Sequence, residues 1–227
     1  MRAEGAGIEY TLVRSRRRTA ALVISTDAVL TVRAPLQMPL SRIEILIGEK
    51  IRWINRKILE QKARPSAGVK QFVEGERFLY LGHEYGLRIS DDIKGSFCFE
   101  DGFVLSSRER ARAKELFVWW YKREARRIIT ERVALFAQRD GFRYQELRIT
   151  GARRRWGSCS AQGSLSFSWR LVMAPLDVID YVVVHELAHL DHCDHSSRFW
   201  GRVRALYPDA DRCRKWLKTN GPALDLI

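Results

Sequence analysis

The chain has 227 residues, 46% of them hydrophobic and 7 of them Trp, enough to bury a full core in one large or two small domains. Its formal charge of +13 points to an anionic partner such as nucleic acid, with a solvated arginine-rich surface as the alternative; no finger, recognition-helix or ribonucleoprotein motif accompanies it, which argues against a sequence-specific DNA reader. No apolar run reaches membrane length, no apolar leader follows Met1–Gly5, and Cys98, Cys159, Cys193 and Cys213 form no C-x-x-C pair, so the expectation is a reduced, cytoplasmic protein without membrane partners.

Residues 8–33 alternate as strands do, with Ile8, Tyr10 and Leu12 on one face, then Ala21, Val23 and Ser25, then Val29, Leu30 and Val32. The charge run Arg14-Ser15-Arg16-Arg17-Arg18 reads as a solvated hairpin tip, with phosphate contact as the lesser alternative. Beyond Pro35 and Pro39, Ser41-Arg42-Ile43-Glu44 has the form of a capping box. The helix it opens carries Ile43, Ile47, Ile51, Ile54 and Ile58 on one face, and Ala63-Arg64-Pro65-Ser66-Ala67-Gly68 ends it. A second strand group, about 70–105, is punctuated by glycines. His83 falls there, in a turn after Gly82, and reads as a surface residue rather than a remote metal ligand.

Residues 107–139 form a long helical stretch through Phe117, Tyr121, Ala125, Ile128, Val133 and Phe136, ended by Gly141. Trp119 and Trp120 thicken its apolar side, with nucleobase stacking as the alternative use. Leu147–Thr150 is a short strand, and Arg153 to Ser160 a tight basic-aromatic turn. Leu165, Phe167, Trp169 and Leu171 then alternate with Ser164, Ser166, Ser168 and Arg170, the pattern of a half-buried strand; a free edge there would accept a peptide as an added strand.

The chemistry concentrates in His185-Glu186-Leu187-Ala188-His189, with His192, Cys193 and His195 just beyond. Four of the five histidines fall in these eleven positions. Asp177 is a fair N-cap, and the breaker-free run from there through the motif favours a buried helix over a strand despite the strand-like Tyr181–Val184 segment. On that helix His185 and His189 share a face and can close on one ion at roughly 2.0–2.1 Å. Glu186 lies on the flank, placed to take a proton rather than to bind metal. A straight helix would carry His195 about 15 Å from His185, so the chain must turn back after about Leu190, with Asp194 or Ser196 capping the next helix through Phe199, Val203 and Leu206. The ten-residue offset favours His195 over His192 as third ligand. The metal set is then His185, His189 and His195, the catalytic base Glu186 and the ion Zn²⁺. Cys193 as a fourth ligand would instead close the site and make it structural. Tyr181, the arginines at 153–155 and Arg170 are the candidates for stabilising an oxyanion.

Arg-Trp-Gly-Ser-Cys-Ser at 155–160, Trp-Arg-Leu-Val at 169–172 leading to Pro175, the run from Tyr181 to His189, and His195-Ser196 with Phe199-Trp200 resemble the YgjP-like metallopeptidase family, related to the WLM and SprT-like proteins. Val32-Arg33-Ala34-Pro35 and Trp53-Ile54 extend the resemblance to the N-terminal sheet. It implies a zincin-type domain and a zinc-dependent peptidase acting on protein or peptide, with His185, His189 and His195 as ligands and Glu186 as general base. The family pattern has Asn where this chain has Ser168 and Asp194. The expected fold is α+β, with an N-terminal β-rich region carrying one helix (1–105) and a C-terminal zincin-like metallopeptidase domain (106–227). The competing expectations are a basic nucleic-acid-associated module with a structural zinc, and a protease recruited to DNA through its basic faces.

Overall fold

The computed structural model describes residues 2–5, 7–25, 28–62 and 70–224, and the helix-ending stretch expected at 63–68 lies outside the described residues. The fold is α+β, and the chain divides into two compact units, Met1–Ser66 and Ala67–Ile227.

In the first unit, strands β1 (Arg2–Gly5), β2 (Ile8–Ser15), β3 (Ala21–Ile24) and β4 (Leu30–Pro35) lie in the order β1-β2-β4-β3, parallel in the centre and antiparallel at both edges. Helix α1 (Leu40–Lys62) buries Ile43, Ile47 and Ile54 with Tyr10, Leu12, Leu30, Val32 and Ala34 of the sheet. Four of the five periodic isoleucines thus pack as their spacing demands, Ile58 partly buried against the same core as the other three. Three local expectations are corrected. Val23 faces solvent and its neighbours Leu22 and Ile24 pack inward, the opposite face of the strand. The Arg14 guanidinium is no free phosphate contact: it donates to the carbonyls of Pro35, Leu36 and Met38 at 3.1, 2.9 and 2.7 Å, satisfying the turn before α1. Ser41 is not an N-cap, because the Pro39 carbonyl already accepts from the Ile43 amide and the helix starts at Leu40, two residues earlier than a Ser41 cap would place it.

The second unit repeats the same strand order. β5 (Arg77–Tyr80), β6 (His83–Ser90), β7 (Phe97–Phe99) and β8 (Phe103–Ser106) are arranged β5-β6-β8-β7, again parallel only in the centre. His83 opens β6 and is exposed. A 3₁₀ turn over Ser107–Arg112 leads into the long helix α2 (Ala113–Asp140), closed by Gly141 in the left-handed conformation at φ 75°. Phe78, Leu87, Phe103 and Leu105 of the sheet share one core with Phe117, Trp120 and Tyr121 of α2. The sheet and the helical region therefore form one unit, and the boundary anticipated at 105/106 falls inside it. Trp119 points outward, 57% exposed, so only Trp120 thickens the apolar side.

The remaining elements surround the motif. β9 (Glu146–Thr150), β10 (Gly157–Cys159) and β11 (Ser164–Ser168) form a sheet in the order β10-β11-β9. The expected strand stops at Ser168, because Trp169–Met173 coil into a 3₁₀ turn buried on every side. Arg170 is buried with them, donating to the Gly151 carbonyl and lying over the Trp169 ring, which removes it from the candidates at the site. Helix α3 (Leu176–Ala188) follows, capped by Pro175 rather than Asp177, and then α4 (Ser197–Leu206) and α5 (Ala210–Asn220). Ten of the thirteen α3 residues are buried. Burying each Val or Ile side chain gains about 1.5–3 kcal/mol, which outweighs a helix-propensity deficit of under about 0.7 kcal/mol per residue.

Two contacts hold α3 in place. The hairpin tip Leu81-Gly82 donates its amides to the Val172 and Met173 carbonyls at 2.9 and 3.1 Å. Gly82, at φ 82°, sits so close that a Cβ there would lie 2.7 Å from Pro175 Cγ. Further along, Arg132 of α2 makes a two-pronged ion pair with the buried Asp180 at 2.6 and 2.8 Å, five residues before His185.

Candidate metal centre

Helix α3 ends at Ala188, with His189 as its C-cap, close to the break the third ligand requires. Three amides close the turn: Leu190 donates to Leu187, and Asp191 and His192 to Ala188. The chain then doubles back to α4, whose N-cap is Ser196, its hydroxyl accepting from the Phe199 amide. Asp194 accepts from the Ser196 amide at 3.1 Å and so shapes the loop that aims His195. Ser168 donates to the Ala152 carbonyl at 2.7 Å.

The turn brings His185, His189 and His195 together, with one nitrogen of each within 4.8 Å of the others. His185 Nε2 and His195 Nε2 are 3.2 Å apart. Bonds of about 2.05 Å to a tetrahedral zinc would place two donors about 3.3 Å apart, so the spacing fits that ion. His189 Nδ1 lies 3.0 Å from the His192 carbonyl. A carbonyl only accepts, so that nitrogen carries the proton and Nε2 presents its lone pair. His192 thus enters through its backbone, and its ring is not part of the cluster. Burial and the neighbouring His189, His195 and Arg214 push the His185 titration down to about 3, keeping the imidazole neutral as a ligand must be. Its buried Nδ1 has no hydrogen-bond partner among the described residues, so packing rather than hydrogen bonding orients this ring.

That packing centres on Phe199, which is fully buried. Its ring centroid lies 4.9, 4.4 and 4.8 Å from those of His185, His189 and His195, a floor beneath all three. Trp200 flanks His185 and His195 at 5.6 and 5.8 Å. The sequence shows Phe199 as a helical-periodicity residue and as part of the family resemblance; nothing in the spacing says that it touches the imidazoles.

Glu186 is 5% exposed and lies against β10. A cavity of about 440 Å³ opens over the centre, lined by the three histidines, Glu186, Cys193 and residues 157–161. Cys193 lines this cavity but stands outside the histidine cluster. The stretch 157–159, expected as part of a turn, is one of the sheet's two edge strands here, while β11 is central, paired with β10 antiparallel and with β9 parallel. The edge available beside the centre is therefore β10. Gly157 is required by the approach: a Cβ there would lie 2.5 Å from Glu186 Cγ and Oε1. We expect Gly157→Ala to displace the carboxylate and lower any turnover at the centre by about 10²-fold, the scale of an ångström-sized misplacement, while metal content measured on the purified protein stays unchanged.

Burial pushes the Glu186 carboxyl up to about 8, with Arg155 offsetting part of the rise. The folded, metal-free chain thus holds this proton more tightly than the unfolded chain does. Stability from the neutral acid is complete below about 4.5 and is lost as pH rises through about 8. The lowered His185 titration acts in the opposite sense and only below about 6.5. In thermal melts of metal-stripped protein, Tm should fall between about pH 6.5 and 8 in the wild type, level off above that, and fall less in Glu186→Gln. Parallel curves would detach the carboxyl from this pH dependence.

The family described as YgjP-like, metallopeptidase domain, matches residues 18–220. No curated protein and no solved structure matches the chain. Among the described residues, no helix is long and apolar enough to cross a membrane. The family match runs across both compact units and through every histidine of the cluster, and the chain belongs to the YgjP-like metallopeptidase family.

Proposed function

We propose that the protein is a zinc-dependent peptidase with His185, His189 and His195 as metal ligands and Glu186 as general base. The observation that carries this reading is the convergence of three imidazole nitrogens within 4.8 Å beneath a cavity that Glu186 also lines. Three imidazoles favour zinc among the divalent metals. When bound, zinc would supply Lewis acidity, drawing the pKa of water toward about 7 and polarising the scissile carbonyl.

The chain's own groups do the rest. A peptide laid along β10 would place its amide over the histidines, hydrogen-bonded to backbone rather than to side chains. Glu186, whose carboxyl a cation held by the neighbouring imidazoles would keep ionised, accepts the proton of the attacking water and delivers it to the leaving amine. Its carboxyl has little room to swing, since Gly157 closes one side. The Tyr181 phenol is pushed up to about 12 by burial, so it stays protonated as a donor. It lies one helical turn before His185 with its ring 5.9 Å from that imidazole, and we assign it the oxyanion in preference to the arginines at 153–155.

A closed structural zinc would require a fourth protein ligand, and the cavity at the cluster argues against one. The four free cysteines support a reducing, cytoplasmic setting. The charge of +13 supports docking to nucleic acid as a second role of the basic faces, expected as DNA binding that weakens steeply with salt. The test of the main reading is metal analysis together with cleavage of an unstructured protein before chelation, after chelation and after zinc is restored. Cleavage that survives complete removal of metal would overturn it.

A further inference from the structure

A second cavity, of about 260 Å³, lies on the other side of Glu186, lined by Trp156, Gly157, Tyr181, His185, Glu186 and Arg214 among others. Gly157, His185 and Glu186 line both cavities, so the two meet at the reacting groups. A polypeptide crossing the centre from the larger one would enter the smaller.

The smaller cavity is aromatic with one cationic wall. Arg214 comes from α5 and is exposed, its guanidinium 4.4 Å from the centroid of the Trp200 ring. Its neighbours are already paired: Arg204 holds Asp211 at 2.9 Å, and Arg212 holds Asp177 and Asp209 at 2.8 and 3.3 Å. Among the described residues no carboxylate lies within ion-pair distance of Arg214. Stacking on Trp200 restrains the planar group without neutralising it, which leaves its donors free for an incoming anion. The opposite wall is rigid, because Trp156 is seated on backbone: a Cβ on Gly221 would lie 2.9 Å from its ring.

We propose that this second cavity is a substrate subsite for a carboxylate, received by Arg214 next to the scissile amide. The proposal rests on the peptidase reading and narrows it to substrates with an acidic side chain, or a free C-terminal carboxylate, close to the cleaved bond. The aromatic walls would take the methylene stem and the guanidinium the charge.

The test uses three labelled peptides of otherwise one sequence: a C-terminally amidated peptide with an internal Glu, a peptide with Gln there and a free carboxylate, and an amidated Gln control. The readout is the ratio of kcat/KM to that of the control within each protein, so a general loss of activity cancels. In the wild type one charged peptide should lead by about tenfold, the worth of one charge-assisted contact in a partly exposed site, and which one leads tells side chain from terminus. Arg214→Gln should bring the ratio to about one, and Arg214→Glu should push it below one. No preference in the wild type, or a preference that survives Arg214→Gln, overturns the subsite while leaving the peptidase reading intact. If none of the peptides is cleaved, fluorescence anisotropy separates the two ideas. Tighter binding of a charged peptide to Glu186→Gln than to the Glu186→Gln, Arg214→Gln double variant upholds the subsite, and equal binding removes it.

Discussion

On the proposed peptidase mechanism, Glu186→Gln should keep its metal and lose turnover of an unstructured protein by about 10²–10⁴-fold, the range for removing a positioned general base. The substitution is nearly isosteric, which matters because Gly157 leaves no room for a larger group. An amide cannot accept the proton of the attacking water. It also removes a carboxyl that is 5% exposed, so folding stability at neutral pH should hold or rise. Metal content, melting temperature and turnover measured on one preparation separate the roles. Equal turnover in the two proteins would take Glu186 out of the mechanism, and loss of metal would make it a ligand or a support instead of a base.

The other large effect belongs to a residue that touches no substrate. Phe199→Ala should cost about 3–5 kcal/mol of stability, the range for emptying a fully buried aromatic position. It should also weaken zinc binding by tenfold or more, because this one ring packs against all three imidazoles. Without it, His189 keeps its hydrogen bond to the His192 carbonyl, but His185 has only Tyr181, Trp200 and the other rings to hold its orientation. Phe199→Leu, which refills most of the volume, should recover most of the stability and part of the affinity. Urea unfolding and competition against a zinc chelator read the two quantities separately. Lost stability with unchanged zinc affinity would reduce Phe199 to an ordinary core residue.

Where sequence reasoning missed, a tertiary contact decided the outcome. The strand expected through Leu171 coils after Ser168, because burial on every side removes the alternation of environments that period-two patterning assumes. The stretch at 157–159 carries turn-like residues and nevertheless pairs with 165–167 as an edge strand. Arg214 lay on a helix that had not been anticipated, although Ala210, Cys213 and Leu217 at steps of three and four, all buried, mark its inner face.

Local chemistry sufficed to pick out the three histidines that converge. Two histidines four apart with a glutamate between them are bound to share a helical face, and the impossible 15 Å span to a straight-helix His195 already demanded a break near Leu190. The class of fold followed from hydrophobic period, since isoleucines at helical steps and alternating strands leave few other ways to bury their faces. Long-range packing alone decided which backbone edge lies beside Glu186, which ring supports the imidazoles and which arginine keeps its charge unspent. Apart from the local His195–Phe199 contact, those depend on residues from 10 to 65 positions apart meeting in space, and no local spacing encodes such a meeting.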